Sequence, residues 1–134
     1  MKEIQELEFP EDLKYTEDHE WALPEGEVIK IGISDYAQDQ LGDIVFVELP
    51  KKGDHFEKGN EFGTVESVKA VAELFIPISG EIMTVNSVLD GSPELVNKDP
   101  YGDGWMIEIK PSGSDDLEIL LTRDAYVEYL KGKE

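Results

Sequence analysis

The chain has 134 residues, of which 40% are hydrophobic and 32% are charged, and its formal net charge at pH 7 is −19. This length and composition predict a single globular domain with its own core and exclude an intrinsically disordered chain. The negative charge argues against nucleic acids and anionic membranes as partners, because binding either requires Lys and Arg to neutralise phosphates.

The sequence contains no cysteine, which excludes disulfides, thiolate nucleophiles and zinc–thiolate sites. Its first residues are acidic and lack the apolar stretch of a signal peptide, and no apolar run reaches membrane-spanning length. We therefore expect a cytoplasmic protein of bacterial type with no membrane partner. The sequence shows no phosphate-binding glycine loop, metal-ligand cluster or nucleophile triad. We expect neither a metal site nor catalytic residues.

The first third of the chain predicts an extension, a hairpin and a short helix. Residues 1–14 are charged and irregular and are interpreted as an N-terminal extension. Residues 15–23 end in a strand, and after a Pro/Gly turn residues 28–33 return as a second strand. Ser34 is placed to cap a helix over 35–41, and Gly42 to end it.

The remaining elements are short strands followed by helices at the C-terminus. Further strands are predicted over residues 43–49, 61–66, 74–76, 80–86 and 105–110. Residues 114–131 predict a C-terminal helical segment, with one helix over 115–121 capped by Ser114 and another over 124–131 capped by Thr122. Many short strands with regular turns and peripheral helices predict a β-sandwich or flattened barrel that comprises residues 1–134 as one domain.

The sequence contains an internal echo. Gly42 begins a β-prone run that is followed by Gly53, and the same pattern recurs 38 residues later from Gly80 to Gly91. Such a repeat is typical of two copies of one supersecondary unit, which would place the copies in two facing sheets. Because the match is short, a chance similarity is the alternative.

Between the two echoing segments lies a chain reversal with an unusual composition. Two β-prone runs meet at Val68-Lys69-Ala70-Val71, which contains none of the Gly, Pro, Asn or Asp residues that favour tight turns. Lys69 is the only basic residue from Gly59 to Asn97, and its neighbours are apolar. An ordinary exposed turn is one interpretation. The other is a recognition surface that presents a lysine for acylation, which would remove its charge.

Motifs along most of the chain resemble those of the H proteins of the glycine cleavage system, over roughly residues 13–130. They agree in order, from the N-terminal part to the C-terminal part: His19-Glu20-Trp21, Ile31-Gly32-Ile33-Ser34, Leu41-Gly42-Asp43-Ile44-Val45, Val47-Glu48-Leu49-Pro50, Glu66-Ser67-Val68-Lys69-Ala70, Pro77-Ile78-Ser79-Gly80-Glu81-Ile82, Asn97-Lys98-Asp99-Pro100-Tyr101 and Gly104-Trp105-Met106.

The resemblance implies a lipoyl-domain-like fold, the barrel-sandwich hybrid, which is mainly β with two small antiparallel sheets and short peripheral helices. It implies that Lys69 carries lipoate in amide linkage, added by lipoate-attaching enzymes. The arm would take an aminomethyl group from the pyridoxal-phosphate-dependent glycine decarboxylase to the aminomethyltransferase, and dihydrolipoamide dehydrogenase would then reoxidise it. A monomeric carrier that is not itself an enzyme is expected.

Two acidic residues are candidates for contacting the loaded arm. Taken alone, His19 and Glu20 would point to opposite sides of a strand, which argues against an acid/base pair. The resemblance instead implies that Glu20 holds the cargo amine in a cleft and that Glu73 is a second acid near the arm. The sequence departs from the family pattern at Asp18, where a small hydroxyl residue is common, and at Gln40, where a histidine is common.

Other interpretations stay open at this point. Within the carriers they are a lipoyl domain of a 2-oxo-acid dehydrogenase, a biotin carrier, and an H-like protein that relays lipoate to other acceptors. Biotin domains usually have methionine on both sides of the lysine, where this chain has Val68 and Ala70. From another class, the chain could be a small acidic enzyme or ligand-binding β-domain that uses His19, Glu20 and Glu73.

Overall fold

Short antiparallel strands make up most of the structure, a computed structural model that describes residues 3–113 and 117–133. The strands are β1 (Lys14–Tyr15), β2 (Glu20–Glu25), β3 (Val28–Ile33), β4 (Ile44–Glu48), β5 (His55–Phe56), β6 (Glu61–Ser67), β7 (Val71–Phe75), β8 (Gly80–Val85) and β9 (Ile107–Pro111). The helices are α1 (Asp35–Leu41), α2 (Leu95–Lys98) and α3 (Arg123–Lys133), with 3₁₀ turns at Ile4–Glu6 and Ser87–Asp90.

The strands form two sheets in which every pairing is antiparallel. One sheet has six strands in the order β1-β2-β3-β9-β8-β5, and the other has three in the order β4-β6-β7. The two echoing segments become β4 and β8, which lie in different sheets. The predicted fold class is therefore confirmed: the chain is mainly β, with two antiparallel sheets and short helices.

The main core draws apolar side chains from both sheets. Ile31, Val65 and Ile82 come from β3, β6 and β8, and all are fully buried in one hydrophobic cluster. Trp21 belongs to a second cluster and donates from its indole nitrogen to the Pro100 carbonyl at 2.9 Å. The two clusters together fix the strands against each other.

The second cluster also contains the start of the chain. It buries Ile4, Leu7 and Phe9 of the predicted N-terminal extension, and the Phe9 ring lies edge-on to the ring of Tyr126. These residues gain free energy from burial and pin the N-terminal segment to α3.

The predicted helix α1 forms with the expected cap. Ser34 Oγ accepts a hydrogen bond from the Ala37 amide at 3.2 Å, which satisfies one of the free amides of the first turn. Gly42, with φ of 82°, ends the helix in a conformation that side-chain-bearing residues rarely adopt. The helix is thereby fixed next to Glu20, because Glu20 pairs with Ile33 immediately before the cap.

The C-terminal segment differs from the expectation. The helix predicted over 115–121 is absent from its described residues, since 117–120 form turns and Leu121 pairs with Tyr15 through two backbone hydrogen bonds of 2.8 Å; residues 114–116 lie outside the described part. A Leu121 backbone committed to strand pairing cannot also make helical hydrogen bonds. Helix α3 follows as predicted, and Thr122 Oγ1 accepts from the Ala125 amide.

Within the described residues, no helix has the length and apolar character required to cross a membrane.

Candidate functional site

The Lys69 segment is a tight hairpin between β6 and β7. The Ser67 amide donates to the Ala70 carbonyl at 2.8 Å, so that Val68 and Lys69 alone form the loop. Strand β7 begins directly at Val71, three residues earlier than the sequence predicts. The Lys69 side chain is exposed.

The hydroxyl of Ser67 supplies the turn chemistry that the loop itself lacks. Two-residue hairpin loops normally need residues with positive φ, but among residues 3–113 and 117–133 only His19 and glycines have one. Here Ser67 Oγ accepts from the Lys69 amide at 3.3 Å and from the Ala70 amide at 3.1 Å, and it lies 3.3 Å from the Ala70 carbonyl, to which it donates. Serine side chains commonly support turns in this way. Sequence reasoning missed this role.

A second set of hydrogen bonds ties the tip to the neighbouring loop. The Val68 amide donates to the Asp43 carbonyl at 3.1 Å. Asn97, on α2, holds that loop on both sides: its amide group donates to the Gly42 carbonyl at 2.9 Å and accepts from the Ile44 amide at 2.8 Å. Lys69 thus extends from a rigid backbone rather than from a loose loop.

Replacing Ser67 with Ala is expected to lower the free energy of unfolding by about 1 kcal/mol, because the amides of Lys69 and Ala70 lose a hydrogen-bond acceptor. Denaturant unfolding of the unmodified chain measures the change. Ser87→Ala is the matched control, since Ser87 is exposed. Equal stabilities of the two variants would contradict the role of the Ser67 hydroxyl.

A cleft of about 300 Å³ lies between the start of β2, helix α1 and strand β7. Its walls bring together both candidate acids, Glu20 and Glu73, and both positions that depart from the family pattern, Asp18 and Gln40. The other lining residues are His19, Ile33, Tyr36, Ala37, Leu41, Ala72 and Leu74. Apolar walls with a few acidic groups suit a ligand that is aliphatic along its length and cationic at its end.

Glu20 is the buried acid of this cleft. Its side chain is 1% exposed, and its carboxylate accepts hydrogen bonds from Thr16 Oγ1 at 2.8 Å and from the Phe75 amide at 3.4 Å. Burial raises the pKa of Glu20 to about 8, although these two donors act in the opposite direction. The ion pairs found in the described part of the chain involve other acids. Among the described residues, Glu20 therefore has no counter-ion. Glu73, the other candidate acid, is exposed to solvent.

The raised pKa of Glu20 predicts a pH-dependent stability. Between its ordinary value of 4.5 and about 8, the folded chain binds a proton that the unfolded chain has released. The free energy of unfolding should therefore fall as pH rises through that window, by on the order of a few kcal/mol. Urea unfolding at pH 5 and pH 8 should show this fall in the wild type and a smaller one in Glu20→Gln. An equal fall in the free energy of unfolding between pH 5 and pH 8 in both proteins would contradict this assignment to Glu20.

Similarity to known proteins extends over most of the chain. The family model described as "Glycine cleavage H-protein" matches residues 13–133. The chain belongs to the glycine cleavage H-protein family. The H protein of Anaeromyxobacter sp. (strain K) is 54% identical over 128 residues, which cover 96% of this chain and 100% of the relative. An H protein of Thermus thermophilus is 50% identical over 127 residues, with 95% of this chain and 99% of the relative covered.

A solved structure agrees with this family. The crystal structure of the H protein from Mycobacterium marinum superposes with a TM-score of 0.81 at 37% identity, over 92% of this chain and 98% of that one. The resemblance predicted from the motifs is confirmed, and with it the role of an H protein of the glycine cleavage system, a lipoyl carrier. The two other carrier families considered above and the ligand-binding β-domain are thereby set aside.

In this H-protein fold, His19 and Glu20 line the same cleft but have separate hydrogen-bond partners. His19 precedes β2, so the strand alternation expected for this pair does not apply to it. His19 Nδ1 lies 2.9 Å from the Tyr126 hydroxyl, which lies 2.8 Å from Ser34 Oγ. His19 itself has a φ of 74°, an uncommon conformation for a residue with a side chain. The His19 ring is thus held between the cleft and α3. His19 and Tyr126 are 107 residues apart in the sequence, so a local sequence pattern cannot predict their hydrogen bond.

Proposed function

We propose that Lys69 bears lipoate in amide linkage to Nζ and that the resulting arm is the moving part of the carrier. The observation that supports this most is the exposed Lys69 on a hairpin tip whose backbone is fixed by Ser67 and Asp43. A fixed tip presents the amine in a constant position to a modifying enzyme. A lysine stem lets the attached group swing into successive active sites at high effective concentration.

The partners of the arm would be the glycine decarboxylase, the aminomethyltransferase and dihydrolipoamide dehydrogenase, together with lipoate-attaching enzymes. Lipoate, when attached, supplies a disulfide that can take up an aminomethyl group and two electrons. The chain would supply attachment, orientation and protection, but no catalytic group of its own. A monomer that works in the cytoplasm, with residues 1–134 as one domain, fits this role.

The cleft would hold the loaded arm between visits to the partner enzymes. Glu73 lies four residues beyond Lys69 on β7, about 13 Å along the strand, a distance that an extended lysine-linked chain can cover. Glu20 would then pair with the cationic amine of the cargo. An ammonium group beside the buried Glu20 would lower its raised pKa and supply the missing counter-ion. Exposed Glu73 would contribute less, because water screens its charge.

Reconstitution tests the carrier role. With glycine, tetrahydrofolate, NAD⁺ and the three partner enzymes, the lipoylated chain should support NADH formation in proportion to its concentration. The unmodified chain should support none, because every step passes through the arm. NADH formation with the unmodified chain, or none with a fully lipoylated chain, would contradict the proposal.

A further inference from the structure

Lys69 is bordered by a group of exposed apolar side chains. Val45 is 48% exposed, Phe46 51%, Val68 71% and Val71 65%. We call these four residues the tip patch. Most of the large hydrophobic residues that are exposed in the described part of the chain belong to this patch. A group of exposed apolar side chains of this kind typically marks a site of protein contact.

Strand register explains why these side chains share one surface. Phe46 pairs with Glu66 and Glu66 with Val71, so the three form one row across the outer face of the three-stranded sheet. The register shifts between Ile44 and Phe46, which inserts Val45 as an extra residue. Such a bulge lets Val45 and Phe46 both be exposed, although consecutive residues normally alternate between faces. Two apolar residues therefore face solvent beside the tip.

Acidic residues lie within the tip patch and on one side of it. Glu66 lies between Phe46 and Val71 in the row, and the next row away from the tip is Glu48, Thr64 and Glu73. These three glutamates are exposed, and the chain carries a net charge of −19. The complementary surface must therefore combine apolar side chains with Lys or Arg, one of which would face Glu66.

We propose that the tip patch is the docking surface for the enzyme that attaches lipoate to Lys69. This inference rests on the proposed attachment at Lys69. At the moment of attachment the chain has no arm, so the enzyme must recognise the protein surface next to the amine. The tip patch borders that amine on the same hairpin. Enzymes that act later meet a chain with an arm, and the arm itself gives them a group to bind.

The test measures initial rates of lipoylation by a purified lipoate–protein ligase with lipoate and ATP. Phe46→Ser and Val71→Ser should each lower kcat/KM about tenfold, mainly through KM, because each removes an apolar contact from the interface. Ile119→Ser is the matched control, since Ile119 is 67% exposed in a different part of the chain, and it should stay within about twofold of wild type.

A pair of charge-reversal variants tests the role of the acidic residues. Glu66→Lys should raise KM at low salt, and the difference from wild type should shrink as salt is added, because screening weakens both attraction and repulsion. Glu118→Lys, an equal charge change at an exposed residue away from the tip, should have little effect. Thermal unfolding of every variant checks that the fold is retained, as expected for exposed positions.

The outcomes separate this inference from the proposed function. Wild-type modification on Lys69 together with undiminished rates in Phe46→Ser and Val71→Ser would overturn the docking surface and leave the carrier role intact. An equal loss of kcat/KM in the control variant Ile119→Ser would also overturn the docking surface. Variants that are lipoylated normally but fail to receive the aminomethyl group from the glycine decarboxylase would overturn the docking surface as well. A wild-type chain that the ligase does not modify at all would instead contradict the attachment at Lys69.

Discussion

Lys69→Arg should abolish glycine-dependent NADH formation in the reconstituted system, while the fold is unchanged. Arginine keeps the positive charge and the exposure of the side chain, but its guanidinium remains protonated and cannot act as the nucleophile that forms an amide. Since the tip is held by backbone and Ser67 hydroxyl hydrogen bonds, the substitution leaves its geometry in place. The expected loss is complete rather than partial.

Lys58→Arg is the matched control for this variant. Lys58 is also exposed, and it lies in a loop of the same chain, so this substitution should leave the rate at the wild-type level. Residual activity in Lys69→Arg above the background without carrier would show that the arm is attached elsewhere or is not required. Comparable thermal unfolding of both variants shows that any loss reflects missing attachment.

Glu20→Gln should speed the spontaneous release of the aminomethyl cargo, by about tenfold or more. Glutamine has nearly the same shape, but it cannot carry the charge that pairs with the cargo amine. Because the Thr16 hydroxyl and the Phe75 amide bond different oxygens of Glu20, the single oxygen of glutamine can keep only one of these two hydrogen bonds. Loss of a partly desolvated ion pair worth about 1.4 kcal/mol or more gives the tenfold factor. The measurement follows the decay of the loaded carrier without aminomethyltransferase.

Glu17→Gln provides the comparison, because Glu17 is an exposed acid three residues before Glu20. It should release cargo at the wild-type rate. A release rate in Glu20→Gln that matches both the wild type and Glu17→Gln would show that the cargo does not rest against Glu20. Normal lipoylation of Glu20→Gln should accompany the faster release, because Glu20 lies in the cleft and outside the tip patch.

The tip shows what sequence patterns could and could not predict. The chain reversal and the exposed lysine follow from local composition, because β-prone runs on both sides leave few other conformations. The role of Ser67 depends on where its hydroxyl points, and the contact between Val68 and Asp43 joins residues that are distant in sequence. Such contacts arise from tertiary packing, which single-sequence patterns do not encode.

The C-terminal segment shows local propensity overridden by distant partners. Residues 115–121 carry a capping serine and a helix-compatible composition, yet Leu121 pairs with Tyr15 at the opposite end of the chain. Likewise, Ile4 and Leu7 lie in a charged segment but are buried against residues that include Leu130. In both cases burial and pairing of distant residues outweigh the local signal.

The cleft was predictable in its members but not in its geometry. The family resemblance names Glu20 and Glu73, but the burial of Glu20 depends on the Phe75 amide, 55 residues away, and on the approach of β7 to α1. Asp18 and Gln40, the two departures from the family pattern, line the same cleft.

Mass spectrometry of the chain purified from its native host, grown with lipoate, tests attachment most directly. We predict an intact mass increased by one lipoyl group, and a proteolytic peptide in which that group maps to Lys69. The same host expressing Lys69→Arg should yield only the unmodified mass. A wild-type chain without lipoate, or one with lipoate on a different lysine, would contradict the central role assigned to Lys69.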